Sequence, residues 1–298
     1  MPRGLEKMNI FRSLKVAGKV LKMGIGMSKR AVYKANDGTS PFVHSYSTYN
    51  RYMGIAKEFA NWVREQGINR VDKLTYEHAR DFLQEKVNQG LSEKTIKVNT
   101  SALEKYFSAI GRSDIANQLR ENFNSFWTQA APSGQTLGFA NPNAMIEKLS
   151  EKNTLFGDIA KIQYYTGARI GDVKKVEVNL EAKTVEISGS KGGRDRSLDF
   201  SDRVEKLEQV KEAVDNLKEY LNNGGNWSEL RKEYTEAVRD TANQLGETYT
   251  GTHAFRVNYA SERYTELTEK YGQEYADKEL TKELGHNRIS MSRYYANK

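Results

Sequence analysis

The spacing of apolar residues constrains this chain more than any other feature, because it is helical over most of the length and alternates in only one place. Between residues 40 and 128, large apolar side chains recur every three or four positions, which is typical of helices with one buried face. Between residues 174 and 200 the period becomes two, as in half-buried strands. Helical spacing then resumes. The pattern predicts a mainly α chain with one small antiparallel sheet.

Four helices are predicted in the first helical stretch, and short connections between them predict a compact bundle. Their apolar faces comprise Tyr49, Tyr52, Ile55, Phe59, Trp62 and Val63; Ala79, Phe82, Leu83 and Val87; Ile96, Leu103, Tyr106, Phe107 and Ile110; and Ile115, Leu119, Phe123 and Phe126. We interpret the aromatic stripes among them as core packing rather than as a binding surface.

A change of composition at residues 129–142 separates the bundle from the rest of the chain. This stretch concentrates small residues, two prolines and two glycines, which is typical of an interdomain linker. We therefore expect a basic N-terminal arm at 1–36, a helical domain at 37–128, the linker, and a mixed α+β domain at 143–298. In the last of these, three strands form the sheet, with Gly189, Gly192 and Gly193 marking the turn between the second and third strands.

The positive charge is concentrated in the N-terminal arm. Nine basic residues face one acid there, so the arm carries +8 of a chain whose formal net charge is +7. These residues are Arg3, Lys7, Arg12, Lys15, Lys19, Lys22, Lys29, Arg30 and Lys34. Clustered cations favour an arm that binds the phosphates of nucleic acid. A solvated tail, a membrane-surface helix and an organelle presequence are the alternatives.

The composition also excludes several classes of protein and site. No apolar run approaches the roughly 20 residues that a membrane-spanning helix needs. The absence of cysteine excludes a disulfide scaffold, a thiolate zinc site and a cysteine nucleophile. The four histidines (His44, His78, His253 and His286) are too few for a histidine-rich metal site. We expect no metal and no cofactor.

Four short motifs follow one another in the second half of the chain. They are Thr166-Gly167-Ala168-Arg169-Ile170-Gly171-Asp172, Ser190-Lys191-Gly192-Gly193-Arg194, His253-Ala254-Phe255-Arg256, and Leu284-Gly285-His286 with Tyr295 nine positions after the histidine. Each alone occurs by chance. In this order and at these spacings they resemble the tyrosine recombinase (phage integrase) family strongly. The resemblance covers roughly residues 40–298, including a helical region similar to the SAM-like core-binding domain of the family, and leaves out the basic arm.

The chemistry of DNA cleavage explains why such residues occur together. Without a metal, a pentavalent phosphorane needs cations around its equatorial oxygens, and guanidinium groups offer forked donors that stay charged. By resemblance these are Arg169 and Arg256, with His286 as a third donor. A tyrosine phenol can store the bond energy as a phosphodiester, and Tyr295 holds the position of the family nucleophile.

Further roles follow from the resemblance. Lys191 would protonate the leaving 5′ oxygen from a flexible hairpin, with Arg194 and Arg196 as rivals for that role. His253 would assist proton transfer at the tyrosine, or is a buried structural histidine. Asp172, three residues after Arg169, would orient that arginine. Tyr294 is the alternative nucleophile, which the spacing disfavours.

These motifs predict an enzyme, a site-specific DNA recombinase that works through a 3′-phosphotyrosine and a Holliday junction. The resemblance implies a homotetramer on double-stranded DNA, with accessory DNA-bending proteins as further partners and no membrane. It also implies a cytoplasmic, nucleoid-associated protein, encoded by a virus or another mobile element. Lys94 and Lys97 join the arm as candidate DNA contacts. The alternatives are a type IB topoisomerase-like enzyme and a catalytically silent DNA-binding or architectural factor.

Overall fold

The computed structural model describes residues 7–36, 38–134, 136–190, 194–286 and 289, with Phe126 described by its backbone alone. The chain divides into two compact units, residues 1–134 and 135–298. This division falls inside the segment 129–142 whose composition is that of a linker.

The first unit is helical throughout its described residues. Its helices are α1 (Ile10–Lys22), α2 (Lys29–Ala35), α3 (Tyr46–Glu65), α4 (Tyr76–Asn88), α5 (Glu93–Ala109), α6 (Ser113–Glu121) and α7 (Phe123–Trp127). Phe59 lies at the centre of its core and meets the rings of Phe82 and Phe107 edge to face, with ring centroids 5.5 Å apart in both pairs. The interpretation of the aromatic stripes as core packing is thereby confirmed.

Helix α1 is docked on this unit rather than extended as a free arm. Ile10, Ala17 and Leu21 are at most 1% exposed, and the hydroxyl of Ser13 lies 2.6 Å from that of Tyr106 in α5. A solvated tail is therefore the wrong interpretation for the residues of α1. The described basic side chains of the arm all lie on the exposed surface, so the helix is amphipathic, as its spacing indicated.

The second unit surrounds one small sheet with helices. Its elements are α8 (Pro142–Lys152), α9 (Thr154–Thr166), β1 (Val176–Asn179), β2 (Thr184–Ser190), β3 (Arg194–Asp199), α10 (Val204–Asn222), α11 (Trp227–Gln244), α12 (Ala254–Tyr271) and α13 (Gln273–Glu283). The strands pair antiparallel in the order β1-β2-β3, with Val176 opposite Ile187 and Ile187 opposite Arg196. The predicted class, mainly α with a three-stranded antiparallel sheet, is confirmed.

The segment before α8 is anchored on the second unit. Phe139 is 2% exposed and packs edge to face on Phe255, with ring centroids 4.8 Å apart. The side chain of Asn258 in α12 accepts from the N–H of Phe139 and donates to its carbonyl, which fixes the backbone at that residue. Among the helices of the described part of the chain, none combines the length and the apolar character needed to cross a membrane.

Candidate active site

Arg169 follows the turn that ends α9. Gly167 adopts a left-handed conformation with φ of 61°, and a Cβ atom there would lie 2.5 Å from the Tyr259 ring, so only glycine fits. Nη1 of Arg169 then lies 3.7 Å from Oδ2 of Asp172, and this aspartate accepts from the Ser190 hydroxyl at 2.6 Å. The Arg169 side chain is 26% exposed. The geometry agrees with the orienting role expected for Asp172.

Arg256 lies in the first turn of α12 and is 0% exposed. Its Nη1 donates to the carbonyl of Gly167, and its Nη2 donates to the carbonyl of Leu284 at 2.6 Å. Nη2 also lies 3.2 Å from Nε2 of His286. One guanidinium therefore connects the turn after α9 to the turn after α13. The family resemblance predicts that Arg256 donates to phosphate oxygens, but in this structure its guanidinium donates to two backbone carbonyls.

His286 stands at the end of the turn after α13. Its backbone N–H donates to the carbonyl of Thr281 at 2.9 Å, and the preceding Gly285 has φ of 62°. Two arginines of β3 hold this turn: Arg194 donates to the carbonyl of Gly285, and Arg196 to that of Glu283, both at 2.9 Å. The two rivals of Lys191 are thus engaged in supporting the turn that carries the histidine.

His253 directly precedes α12 and is half-buried. Burial, followed by the charges of Arg256 and Arg169, lowers its pKa to about 4. The pKa of His286 is lowered to about 4 as well, first by burial and then by Arg256, Arg169, Arg196 and His253. Both imidazoles are therefore neutral near pH 7, and each lies within electrostatic reach of both arginines. The fold gathers Arg169, His253, Arg256 and His286 in one place.

Three residues of the predicted site and its DNA contacts lie outside the described residues, namely Lys191, Tyr295 and Arg3. Tyr294, the alternative nucleophile, does so too. Their roles stay predictions. Within the described residues no cluster of three histidine, aspartate or glutamate side chains is arranged to hold a metal ion.

A buried glutamine ties two of the motifs together, and sequence reasoning missed it. Gln163 of α9 is 0% exposed, and its Nε2 lies 3.4 Å from the carbonyl oxygens of both Ala168 and Thr252. Its Oε1 accepts from the Tyr234 hydroxyl at 2.9 Å. These carbonyls immediately precede Arg169 and His253. The one signal in the sequence was a polar residue at a position where the helical spacing calls for an apolar one.

The candidate DNA contacts fall into two groups. Lysines of α1 border an open groove of about 550 Å³ against α3, lined by Leu14, Lys15, Gly18, Lys19, Lys22, Tyr49, Met53 and Lys57. Lys94 is exposed. Lys97, in contrast, pairs with Glu93 and lies 3.6 Å above the Trp127 ring, so its charge is already engaged within the first unit.

Comparison with known proteins agrees with the motifs. Residues 43–113 match the family described as phage integrase, N-terminal SAM-like domain. Tyrosine recombinase XerC of Bacillus subtilis (strain 168) is 27% identical over 196 residues, which are 60% of this chain and 59% of the relative. The chain thus spans about three fifths of the length of that relative.

Solved structures share the fold. A lambda integrase dimer bound to a COC′ core site aligns with a TM-score of 0.63 at 19% identity, covering 98% of this chain and 78% of that one. A lambda integrase tetramer bound to a Holliday junction aligns with a TM-score of 0.61 at 16% identity, covering 97% and 77%. The matched domain, the sequence relatives and the shared fold therefore all agree with the resemblance of the four motifs to the tyrosine recombinase family.

Proposed function

We propose that this protein is a site-specific DNA recombinase that cleaves and rejoins DNA through a 3′-phosphotyrosine, without a metal or a high-energy cofactor. The observation that carries the proposal is the buried guanidinium of Arg256. By bonding to two turns it brings Arg169, His253 and His286 together from three distant segments of the chain. A phosphodiester held among these groups would meet cations on one side and two neutral imidazoles beside them.

In the proposed reaction the Tyr295 oxygen attacks phosphorus in line, and the bond from phosphorus to the 5′ oxygen breaks. His253 accepts the phenol proton, because its ring is neutral near pH 7 and has a nitrogen lone pair to take it. Lys191 gives a proton to the leaving 5′ oxygen. Rejoining runs the same steps backwards, with a 5′ hydroxyl as the attacking group. One phosphodiester replaces another at each stage, so no external energy source is needed.

The arginines and His286 would stabilise the phosphorane in different ways. Arg169 is partly exposed and can reach an equatorial oxygen directly. Arg256 is buried, so in this state its charge acts on the site through space and through the turn it holds. Since an arginine can only donate, Nε2 of His286 accepts, and the neutral ring carries its proton on Nδ1. In this state Nδ1 is itself buried, so the ring acts on the site through its contact with Arg256.

The DNA and the assembly belong to the same proposal. A homotetramer on two duplexes is supported by the lambda integrase tetramer on a Holliday junction, whose fold this chain shares. We assign duplex binding in part to the exposed lysines along the α1 groove, whose charges suit a phosphate backbone. A cytoplasmic, nucleoid-associated site of action, a mobile-element origin and accessory DNA-bending partners fit this role.

A trapping experiment tests the catalytic part of the proposal. Duplexes from the DNA that flanks the gene are nicked near candidate crossover points, so that a short strand diffuses away after cleavage and rejoining is blocked. The wild-type chain and the control Tyr294→Phe should form a covalent adduct that survives denaturation. Tyr295→Phe should bind the same DNA without an adduct, because only the phenolic oxygen is lost.

Two other outcomes would contradict the proposal at different points. If Tyr295→Phe forms the adduct and Tyr294→Phe does not, the nucleophile is the neighbouring tyrosine. If the wild-type chain binds these duplexes and traps none, the protein is a DNA-binding factor without catalysis.

A further inference from the structure

The backbone from Glu283 to Gly285, directly before His286, is held by arginines at every carbonyl. Arg196 donates to Glu283 and Arg194 to Gly285, both at 2.9 Å, while Arg256 donates to Leu284 at 2.6 Å. These contacts fix the turn from the side of β3 and from the start of α12. The position of His286 therefore depends on how well the turn itself is anchored.

The side chain of Glu283 anchors the turn from a third direction. The residue is 1% exposed, and its carboxylate accepts from the Tyr259 hydroxyl at 2.6 Å and from Nε of Arg263 at 3.1 Å. Nη1 of Arg263 also lies 3.1 Å from Glu266 and 3.5 Å from Asp202. A buried carboxylate is costly unless it is paired, and Arg263 supplies the opposite charge. Burial, and then the Glu283 carboxylate, raises the pKa of Tyr259, so the phenol stays protonated and donates.

Tyr259 also touches the other turn of the site. A Cβ atom at Gly167 would lie 2.5 Å from Cδ1 of Tyr259, so the ring packs directly on that glycine. The carbonyl of Gly167 is the one that receives Nη1 of Arg256. The hydroxyl of Tyr259 thus holds the turn before His286, and its ring holds the turn before Arg169.

We infer that the buried network of Tyr259, Glu283 and Arg263 is a positioning unit, which sets the placement of His286 and Arg256 relative to Arg169. This inference rests on the proposed recombinase function. Buried ion pairs contribute little net stability compared with apolar groups of similar volume. What the hydroxyl and the carboxylate add here is one defined location for the turn, because hydrogen bonds fix distance and direction where apolar packing tolerates sliding.

The test compares two tyrosines that differ in what their hydroxyls hold. Tyr259→Phe removes the bond to Glu283. Tyr164→Phe is the matched control: Tyr164 of α9 is 7% exposed, and its hydroxyl bonds Glu262 of α12 at 2.7 and 2.9 Å rather than a residue of the turn. On the nicked duplexes, Tyr259→Phe should slow adduct formation about 10- to 100-fold, the size expected when a reacting group is misplaced by about 1 Å. Tyr164→Phe should react at the wild-type rate.

A second measurement reads the site without DNA. The chain has four histidines, so their ring protons can be followed individually by NMR as pH changes. In Tyr259→Phe a loosened turn admits water, and the pKa of His286 should rise from about 4 toward the ordinary 6.5. In Tyr164→Phe it should stay where it is. A general loss of stability would act on both variants alike and would not move this one titration.

The outcomes separate this inference from the proposed function. A wild-type chain that forms no adduct contradicts the function, and the His286 titration still tests the network. Wild-type adduct formation together with a Tyr259→Phe variant of unchanged rate and unchanged His286 titration overturns the network alone. If Tyr259→Phe does not fold, Glu283→Gln serves instead. It keeps the shape and one acceptor oxygen, and the same loss of rate and rise in pKa are expected.

Discussion

Acid should destabilise the second unit through His253 and His286. Both rings have a folded-state pKa of about 4, while the unfolded chain titrates them near the ordinary 6.5. Between these values the unfolded state binds more protons, so the free energy of unfolding falls as pH falls from 6.5 toward 4. The stabilising contribution of the neutral rings is fully present above pH 6.5.

The size of this effect follows from the two pKa values. One pH unit of difference corresponds to about 1.4 kcal/mol, which gives about 2 kcal/mol per ring between pH 7 and pH 5. Because both rings are only partly buried, solvent screening reduces this to about 1 kcal/mol each. Together the histidines should remove about 2 kcal/mol of unfolding free energy over that interval.

Urea unfolding of the full chain at pH 7, 6 and 5, followed by circular dichroism, measures this loss. The comparison is with the double variant His253→Gln and His286→Gln, whose amides do not titrate. Contributions from the first unit and from all other groups are common to both proteins and cancel in the difference. Wild type should lose about 2 kcal/mol more than the double variant. Parallel curves would show that the imidazoles are not held neutral by the fold, and the reasoning would be refuted.

Three further predictions concern basic side chains. Arg169→Lys should lower the rate of adduct formation on the order of 10²-fold, since the paired guanidinium donors to the phosphate are lost. Affinity in a gel-shift assay and stability in urea should stay near wild type. Arg256→Lys should lower the rate of adduct formation and should also lower the free energy of unfolding in urea by about 2 to 4 kcal/mol, because lysine cannot keep both hydrogen bonds to the buried carbonyls. Equal unfolding free energies of Arg169→Lys and Arg256→Lys would contradict this prediction. Neutralising Lys15, Lys19 and Lys22 to Gln should flatten the slope of log affinity against log salt by up to about 2.7. An unchanged slope would remove α1 from the DNA interface.

Hydrophobic period alone predicted the helical bundle and the sheet, although the predicted fourth helix is divided at Asn122 into α6 and α7. Burial decides those patterns: Phe59, Phe82 and Phe107 are at most 1% exposed, as one helical face requires. The family resemblance of the motifs predicted that Arg169, His253, Arg256 and His286 would meet, and glycines such as Gly167 mark the turns on which they stand. Its prediction for Lys191 and Tyr295 falls outside the described residues.

The polar interior could not be predicted in this way. Gln163, Tyr259 and Glu283 are buried where the spacing calls for apolar residues. Apart from Ala168, their hydrogen-bond partners lie 20 to 89 positions away, so no local pattern pairs them. Charge counting failed differently at the N-terminus. It treated the lysines as an arm, while Ile10 and Leu21 on the opposite face of α1 are buried in the structure. Point substitution, rather than deletion, is therefore the right test of that segment.

The bridge that Arg256 makes between Gly167 and Leu284 also has a consequence during protein synthesis. Its two acceptors are separated by more than a hundred residues of chain, so Arg169 and Arg256 cannot be brought together with His286 until the ribosome has released residue 286 and the second unit has folded. A nascent chain, or a fragment cut short before that point, would hold the first unit and its basic surface yet lack an ordered site. Under the proposed function, such a chain could occupy DNA but could not cleave it.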